Sequence, residues 1–278
     1  MKLHWRNVLF GKTLPYAILV VIRIAFLLPL LWVIVASFNP QANEALEMPR
    51  QWTIANYRSV LTDAANQNAF GVGLIMSLAQ TVFVVLCAGL AAYPLSRYQL
   101  RYKRMFLYTI LFMNSLPITA VMVPVYEEFV TIKLYDNIMG VILFFTASAL
   151  PYGIWMMKNF MDSVPIELEE AAWVDGASTM TSLRKIVAPL MMPGIFTVAI
   201  FTFSGSWGNF FVPYILLSSA SKLPASVKLY QFFGMHGMIA YGPLAAYSIL
   251  YACPSVILYM ISQKYMSQGF SMQGANKG

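Results

Sequence analysis

Six stretches of apolar residues dominate this chain, and most are about as long as a helix that crosses a lipid bilayer. Such a helix needs about 20 mostly apolar residues to span roughly 30 Å of hydrocarbon. The runs cover about 14–36, 70–93, 105–125, 138–157, 187–217 and 244–261. Of the 278 residues, 59% are hydrophobic and only 10% are charged, whereas soluble domains have about 25% charged residues. The sequence therefore predicts an all-α membrane protein with six transmembrane helices.

The apolar runs divide the chain into predicted segments. Residues 14–37 form the first transmembrane helix, and residues 70–262 form a core of five further helices that includes a polar loop at 162–189. A polar, mixed-charge loop at 38–69 separates the two. The remaining segments are a short N-terminus, 1–13, and a tail, 263–278. Residues 268–278 of the tail are expected to be flexible because they are rich in glycine and polar residues.

The distribution of basic residues predicts the orientation of the chain. Six crossings place both termini on one side of the membrane. Twelve of the 18 Lys and Arg residues fall on that side, five fall on the other, and Arg23 lies inside the first run. By the positive-inside rule, both termini and the 162–189 loop are cytoplasmic, and the 38–69 loop is extracellular. Arg23 is interpreted either as a side chain that snorkels to the cytoplasmic interface or as a functional intramembrane charge.

The 162–189 loop contains five of the eleven carboxylates, Asp162 included. Pro165 suits a first helical turn, and the acidic residues that follow favour the positive end of a helix dipole. Gly176 can supply a left-handed cap, which predicts a helix over 165–175. A second short helix is expected to start near Ser178 or Thr179 and to place Arg184 and Lys185 in its last turn. The 165–175 helix, continuing through Ile186 into the fifth apolar run, is expected to form a rigid lever. The first helix is too polar to span a bilayer but suits docking into a groove of another protein.

The loop also resembles a known motif. Glu170-Ala171-Ala172, then Gly176 after three residues, Ile186 after nine more, and Ala188-Pro189 are similar to the pattern E-A-A-x3-G-x9-I-x-L-P. That pattern belongs to the EAA loop of ABC-importer permeases, and Ala188 replaces its Leu. The resemblance implies a type I importer permease whose cytoplasmic coupling helix contacts an ATPase through Glu167, Glu170, Ala171, Ala172, Asp175, Gly176, Ile186 and Pro189. An ordinary amphipathic connector remains the alternative.

A second candidate site follows from polar residues at membrane depth. The fifth run is interrupted over 204–213, where Ser206, Trp207, Asn209 and Phe210 combine amide, hydroxyl and aromatic groups suited to a neutral polyol. This stretch resembles the W-N-x-F-x-x-P segment of carbohydrate-importer permeases, with Gly208 inserted before the asparagine. Asn114, Ser115 and Thr119 of the third run are further candidates for the substrate pathway. Close helix packing through small and polar residues remains the alternative for both stretches.

The resemblance also implies partners. It predicts one permease subunit of a bacterial, binding-protein-dependent importer of a carbohydrate, such as an oligosaccharide. The partners would be a second, non-identical permease, two ATP-binding subunits that hold ATP and Mg, and an extracellular solute-binding protein. The last residues, Gly274 to Gly278, resemble the ending of maltose-type permeases, which in some relatives touches the nucleotide-binding dimer.

Several functions are disfavoured by what the sequence lacks. It has no phosphate-binding loop, no nucleophilic-serine motif and no metal-ligand spacing around His4 or His236. The chain itself is therefore expected to hold no cofactor or metal, to bind no nucleic acid and to hydrolyse no ATP. The alternatives that remain are an ABC permease for another solute such as glycerol phosphate, a channel or secondary transporter, and, less favoured, a membrane enzyme.

Overall fold

The computed structural model describes the backbone of residues 14–115, 117–233 and 239–275 and the side chains of those between 15 and 263. Within these ranges the ordered elements are all helical. The α-helices are α1 (Leu14–Ser37), α2 (Ala55–Thr62), α3 (Ala64–Arg97), α4 (Lys103–Met113), α5 (Ile118–Thr131), α6 (Ile138–Asp162), α7 (Glu167–Val174), α8 (Thr179–Ser182), α9 (Ala188–Leu190), α10 (Met192–Trp207), α11 (Phe211–Leu216), α12 (Ala225–Gln231) and α13 (Tyr241–Ala275). A π-helical turn, Leu183–Val187, connects α8 to α9, and a 3₁₀ turn, Ala220–Lys222, precedes α12.

The helices confirm the predicted class of fold. Four of the described helices are long and apolar enough to cross a membrane by themselves, and the number is six if each of two bent helix pairs forms one span. The four are α1, α3, α6 and the first part of α13. The bent pairs are α4 with α5, and the 179–190 segment with α10.

Two expected straight helices are instead sharply bent. The third apolar run was expected to be one helix, but α4 and α5 meet at 90°, and Pro117 precedes α5. The lever expected to continue through Ile186 into the fifth run is also bent, because the 179–190 segment and α10 meet at 70°. Pro189 and Pro193 flank that bend. Proline lacks the N–H that the preceding turn of a helix requires, which accounts for both breaks.

The C-terminal helix is longer than expected. The sixth apolar run ends near Ile261, but α13 continues to Ala275. After Pro254 no further proline interrupts the helical backbone. The backbone of residues 268–275 is therefore helical where a flexible tail was expected, and residues 276–278 lie outside the described part.

The chain divides into two compact units, and the first comprises the described residues of 1–66 and 229–252. Residues 15–31 of α1 are all exposed, as suits a helix surrounded by lipid. The end of α1 is held by polar contacts, because the Asn56 side chain donates to the carbonyl oxygens of Ser37 and Asn39, both at 3.0 Å. The hydroxyl groups of Ser37 and Tyr57 lie 2.9 Å apart.

The second unit, the described residues of 67–228 and 253–275, has two apolar clusters. One brings together α3, α5, α6 and α11 around Met76, Met122 and Val141. The other brings together α3, α6 and α10 with the segment before α10, around Val84, Met157 and Val187. Helices α6 and α10 approach so closely that a Cβ atom added to Gly194 would lie 2.6 Å from the side chain of Phe160.

One carboxylate ties two loops of this unit together. Asp136, in the turn before α6, accepts hydrogen bonds at 3.0 Å from the backbone N–H groups of Ser218 and Ser219, and at 2.5 Å from the Ser219 hydroxyl. The Lys222 ammonium lies 2.8 Å from the same carboxylate. Lys222 first, and then Ser219, hold the pKa of the Asp136 carboxyl well below its usual range.

The replacement Asp136→Asn is expected to lower the free energy of unfolding by about 1–3 kcal/mol, because it removes charge-assisted hydrogen bonds from loop N–H groups. Asparagine tolerates the positive φ of 53° at this position. Since the folded-state pKa is lowered, the stabilisation is complete above the ordinary pKa of about 4 and is lost as the pH falls through the folded-state value. Thermal unfolding in detergent should therefore show a Tm deficit at neutral pH that shrinks below about pH 4. Glu127→Gln, at an exposed carboxylate, is the control and should show no such deficit.

Candidate functional sites

The acidic helix α7 is a single, well-terminated element. It spans Glu167–Val174, which is shorter than the predicted 165–175 helix. The first N–H groups of the helix donate to the carbonyl oxygens of Pro165 and Ile166. Its end is a Schellman motif, in which the Ala177 N–H donates to Ala172 O at 2.9 Å and the Gly176 N–H donates to Trp173 O at 3.0 Å. Gly176 has φ +84°, so its predicted role as a left-handed cap is the one that the backbone adopts.

Helix α8 begins where the sequence indicated. The side chain of Ser178 caps it by accepting a hydrogen bond from the Thr181 N–H at 3.3 Å. The π-helical turn Leu183–Val187 follows directly. Such turns are rare and concentrate at functional sites, and this one contacts α7.

A buried ion pair anchors α7 to the end of α3. Glu169 is fully buried, and its Oε1 atom lies 2.6 Å from Nε of Arg97, whose side chain is only 7% exposed. The Tyr93 hydroxyl donates to Oε2 of Glu169 at 3.1 Å. Arg97 also donates from Nη2 to the carbonyl oxygen of Val164 at 3.0 Å. Both carboxylate oxygens of Glu169 thus have a hydrogen-bonding partner, as a buried charge requires.

A second polar contact joins the end of α3 to the end of α6, where the 162–189 loop begins. The Ser96 hydroxyl donates to Oδ1 of Asp162 at 2.6 Å, and Lys158 pairs with the other oxygen of that carboxylate from one turn earlier in α6. Below these contacts Val164, Val187 and Met161 are buried with Ala92 of α3. The loop is therefore held to the helices by charge at its edge and by apolar packing beneath.

The predicted coupling residues mostly lie on the outside of this anchored loop. Glu167, Glu170, Ala171, Asp175, Gly176 and Pro189 are exposed, and Ala172 and Ile186 are half-buried. Three large apolar side chains of α7 are also uncovered, because Leu168 is 43% exposed, Trp173 is 39% exposed and Val174 is 88% exposed. The outer face thus combines carboxylates with apolar groups that the described part of the chain leaves open.

Around the interruption of the fifth run, two predicted pathway residues are packed inside the unit. Trp207 is 4% exposed; its ring stacks on Phe203 at 6.0 Å between centroids. The Ser206 hydroxyl donates to the Ser77 hydroxyl of α3 at 3.0 Å. These contacts favour the packing interpretation for Trp207 and Ser206.

Asn209 and Phe210 occupy the break itself. Oδ1 of Asn209 accepts from the Val212 N–H at 3.0 Å and so helps to start α11. The Asn209 carbonyl oxygen accepts from the Ser226 hydroxyl at 2.9 Å. Phe210 stacks on Tyr214, with ring centroids 4.8 Å apart. Both predicted residues are half-buried, so part of each side chain is accessible.

The third-run candidates are on an accessible bend. Asn114, Ser115 and Thr119 are all exposed, on either side of the 90° turn between α4 and α5. Helix α5 contacts α11, so the two candidate stretches are on neighbouring helices. Gln80 of α3 adds a polar group that was not selected from the sequence: its Nε2 donates to Phe145 O at 3.4 Å, and its buried Oε1 has no partner among the described residues.

The residues that sequence reasoning missed are those of the anchor. Neither Glu169 nor Arg97 was selected from the sequence as a candidate site residue. The two are 72 residues apart, and neither position has a local signal that separates it from its charged neighbours. The part of the chain that the structure describes contains no group of three or more His, Cys, Asp or Glu residues that could hold a metal.

Comparison with known proteins gives consistent matches along the chain. The family described as "Binding-protein-dependent transport system inner membrane component" matches residues 84–271. The sulfoquinovosyl glycerol transport system permease protein SmoH of Agrobacterium fabrum is 29% identical over 95% of this chain and 94% of its own length. The trehalose transport system permease protein SugB of Mycobacterium tuberculosis is 30% identical over 91% of this chain and 93% of its own.

A solved structure matches the fold. It is that of a bacterial ABC transporter involved in the import of the acidic polysaccharide alginate. The match has a TM-score of 0.81 and 22% identity, and covers 94% of this chain and 97% of that one. At this level of identity the likeness bears on the fold alone.

Proposed function

This chain belongs to the family of inner membrane components of binding-protein-dependent transport systems, and we propose that it is the permease subunit of an ATP-driven importer that moves a carbohydrate into the cell. Members of this family are transport subunits rather than enzymes. The relatives SmoH and SugB, named for a sugar-containing glycerol and a disaccharide, support a carbohydrate, and we favour an oligosaccharide or a related polyol. Family membership sets aside the alternative of a secondary transporter.

The observation that carries the proposal is the anchored acidic helix α7. Its outer face presents Glu167, Glu170 and Val174, while its inner face is fixed to α3 through Glu169 and Arg97. Because α7 is fixed to α3, a displacement of α7 by a partner also displaces α3. The proposed partner is one of two ATP-binding subunits, which hold ATP and Mg, and this chain holds no cofactor.

The full assembly that we propose contains a second, non-identical permease, the two ATP-binding subunits and an extracellular solute-binding protein. Both termini and the α7 loop are cytoplasmic in this arrangement. Closure of the ATP-binding subunits moves the coupling helices, and the transmembrane helices open outward to receive substrate from the binding protein. ATP hydrolysis then returns the cavity to the inward-open state.

The substrate pathway proposed for this chain runs past Asn114, Ser115, Thr119, Asn209 and Phe210. Trp207 and Ser206 do not line the pathway in this proposal; their packing inside the unit holds the helix break in position. None of these residues is basic, which favours a neutral solute over an anion such as glycerol phosphate. Amide and hydroxyl groups hydrogen-bond sugar hydroxyls, and an aromatic ring packs against the apolar face of a sugar. The break between α10 and α11 is a helix interruption of the kind that transporters use to build binding sites.

A reconstitution experiment tests this function. The tagged chain is purified from membranes in detergent together with its companions, and the solute-binding protein is screened by thermal shift against a panel of sugars. The sugar that stabilises the binding protein should enter proteoliposomes only when the binding protein is outside and Mg-ATP is available to the ATPase subunits. A chain that purifies alone and moves solute without ATP would contradict the proposal.

A further inference from the structure

A cavity of about 1170 Å³ lies where the end of α3, the start of α4 and the later part of α6 come together. It is separate from the outer face of α7 and from the predicted substrate pathway. Five basic side chains line it, and no carboxylate does: Arg97, Arg101, Lys103, Arg104 and Lys158. A concentration of cations in one concave surface is a site for anions.

Only two of the five cations are neutralised within the described chain. Arg97 pairs with Glu169, and Lys158 pairs with Asp162. Arg101, Lys103 and Arg104 pair with no carboxylate among the described residues. The Arg101 guanidinium lies over the ring of Tyr102 at 5.4 Å, an arrangement that leaves its N–H edge available to an acceptor.

The cavity changes character along its length. The three basic residues that pair with no carboxylate among the described residues lie in the turn before α4 and in its first positions, and the lining then becomes apolar at Met105, Leu107 and Leu111. Tyr108 and Trp155 also line it, and such side chains favour the interface between membrane and water. A ligand that matches both ends must itself be an amphiphile with an anionic head.

We propose that this cavity binds an anionic phospholipid, with the phosphate headgroup among Arg101, Lys103 and Arg104 and the acyl chains along Leu107 and Leu111. In the proposed orientation the cavity faces the cytoplasmic leaflet, where anionic lipids attract basic clusters beside membrane helices. A free phosphate or a nucleotide uses the cationic end but leaves the apolar end without a partner. Because Arg97 belongs both to the cavity wall and to the anchor of α7, the bound lipid lies beside the lever that is proposed to move.

Native mass spectrometry of the purified, delipidated complex tests the proposal. The complex is titrated with dioleoylphosphatidylglycerol or with dioleoylphosphatidylcholine, which differ in net charge. The test variant is Arg101→Gln/Lys103→Gln/Arg104→Gln. The matched control is Arg50→Gln/Arg58→Gln/Lys133→Gln, which removes the same number of charges from the side predicted to be extracellular.

We expect the wild type and the control to bind phosphatidylglycerol at least about tenfold more tightly than phosphatidylcholine. The test variant should lose roughly 10- to 100-fold in its affinity for phosphatidylglycerol and change little towards phosphatidylcholine. Inorganic phosphate in large excess should not displace the lipid. If the triple variant does not fold, Lys103→Gln and Arg104→Gln alone should each weaken phosphatidylglycerol binding several-fold.

Four results would overturn the proposal. Equal affinity for the two lipids, or an equal loss in the control variant, would show that no site of this kind exists. Displacement by phosphate alone would assign the cavity to a free anion. Lipid that binds the chain separated from its companions, but not the intact complex, would mean that an acidic segment of a partner fills the cavity.

Discussion

Replacing Glu169 by Ala should destabilise the protein far more than replacing its neighbour Glu170 by Ala. Glu169 is fully buried against Arg97, and its loss leaves an arginine with 7% exposure without its counter-charge. Removing one member of a buried ion pair costs about 3–5 kcal/mol. Glu170 is exposed, and an exposed substitution changes stability by about 0.5 kcal/mol or less. Thermal unfolding of the purified complex in detergent measures the difference.

The pair Glu169→Ala and Glu170→Ala also separates anchoring from coupling. In our proposal Glu170 contacts the ATP-binding subunit, so Glu170→Ala and, more strongly, Glu170→Lys should reduce uptake per ATP hydrolysed while the Tm stays near that of the wild type. Glu169→Ala should lower the Tm and uptake together. If the two alanine variants unfold at the same temperature, the anchor is not what holds α7.

A double substitution provides the control for the anchor. Glu169→Leu with Arg97→Met removes both charges and retains apolar volume, a change that is often neutral or stabilising for buried pairs. The double variant should therefore recover much of the Tm that Glu169→Leu alone loses. If the losses of the two single variants simply add, Glu169 and Arg97 do not interact energetically.

How far the sequence predicts this molecule depends on whether the signal is local. The positions of Gly176 and Ser178 were predictable, because a left-handed cap and an N-cap depend on one residue and its nearest neighbours. The existence and approximate position of α1, α3 and α6 were predictable from runs of apolar residues, whereas the extension of α13 beyond its run was not. The 70° and 90° bends were not, although prolines were present at both, since a proline within a membrane helix is compatible with either a mild kink or a break.

In the candidate sites, too, the features that depend on contacts between distant segments were not predictable from the sequence. The spacing of Glu170, Gly176 and Ile186 selected this loop as a candidate site, but which acidic residue faces inward is decided by the packing of α7 on α3. Likewise, the aromatic and polar character of Trp207 suggested a lining residue, whereas its contact with Phe203 and the close approach of α3 at Gly73 bury it. The residue type gives the chemical groups that a position can offer. Whether that side chain is exposed depends on contacts between segments that are distant in the sequence.

Replacing Gly176 by Pro is expected to leave the transmembrane helices inserted and to disconnect uptake from ATP hydrolysis. Proline fixes φ near −65°, whereas Gly176 has φ +84°. Proline also removes the N–H that donates to Trp173 O at 3.0 Å. The end of α7 and the start of α8 would then lose their relative direction, at a local cost of about 3 kcal/mol or more. Uptake should fall at least about tenfold, while ATPase activity of the complex persists.

A graded series at this position distinguishes backbone conformation from side-chain bulk. An added Cβ atom at Gly176 meets nothing within 4 Å, so a small side chain causes no clash and only the positive φ penalises it. Asparagine visits the left-handed region more readily than alanine, although it is the larger residue. Uptake per ATP should therefore decrease in the order Gly, Asn, Ala, Pro. If Ala instead retains more coupling than Asn, the size of the side chain on the face presented to the ATP-binding subunit controls coupling, and the left-handed cap does not.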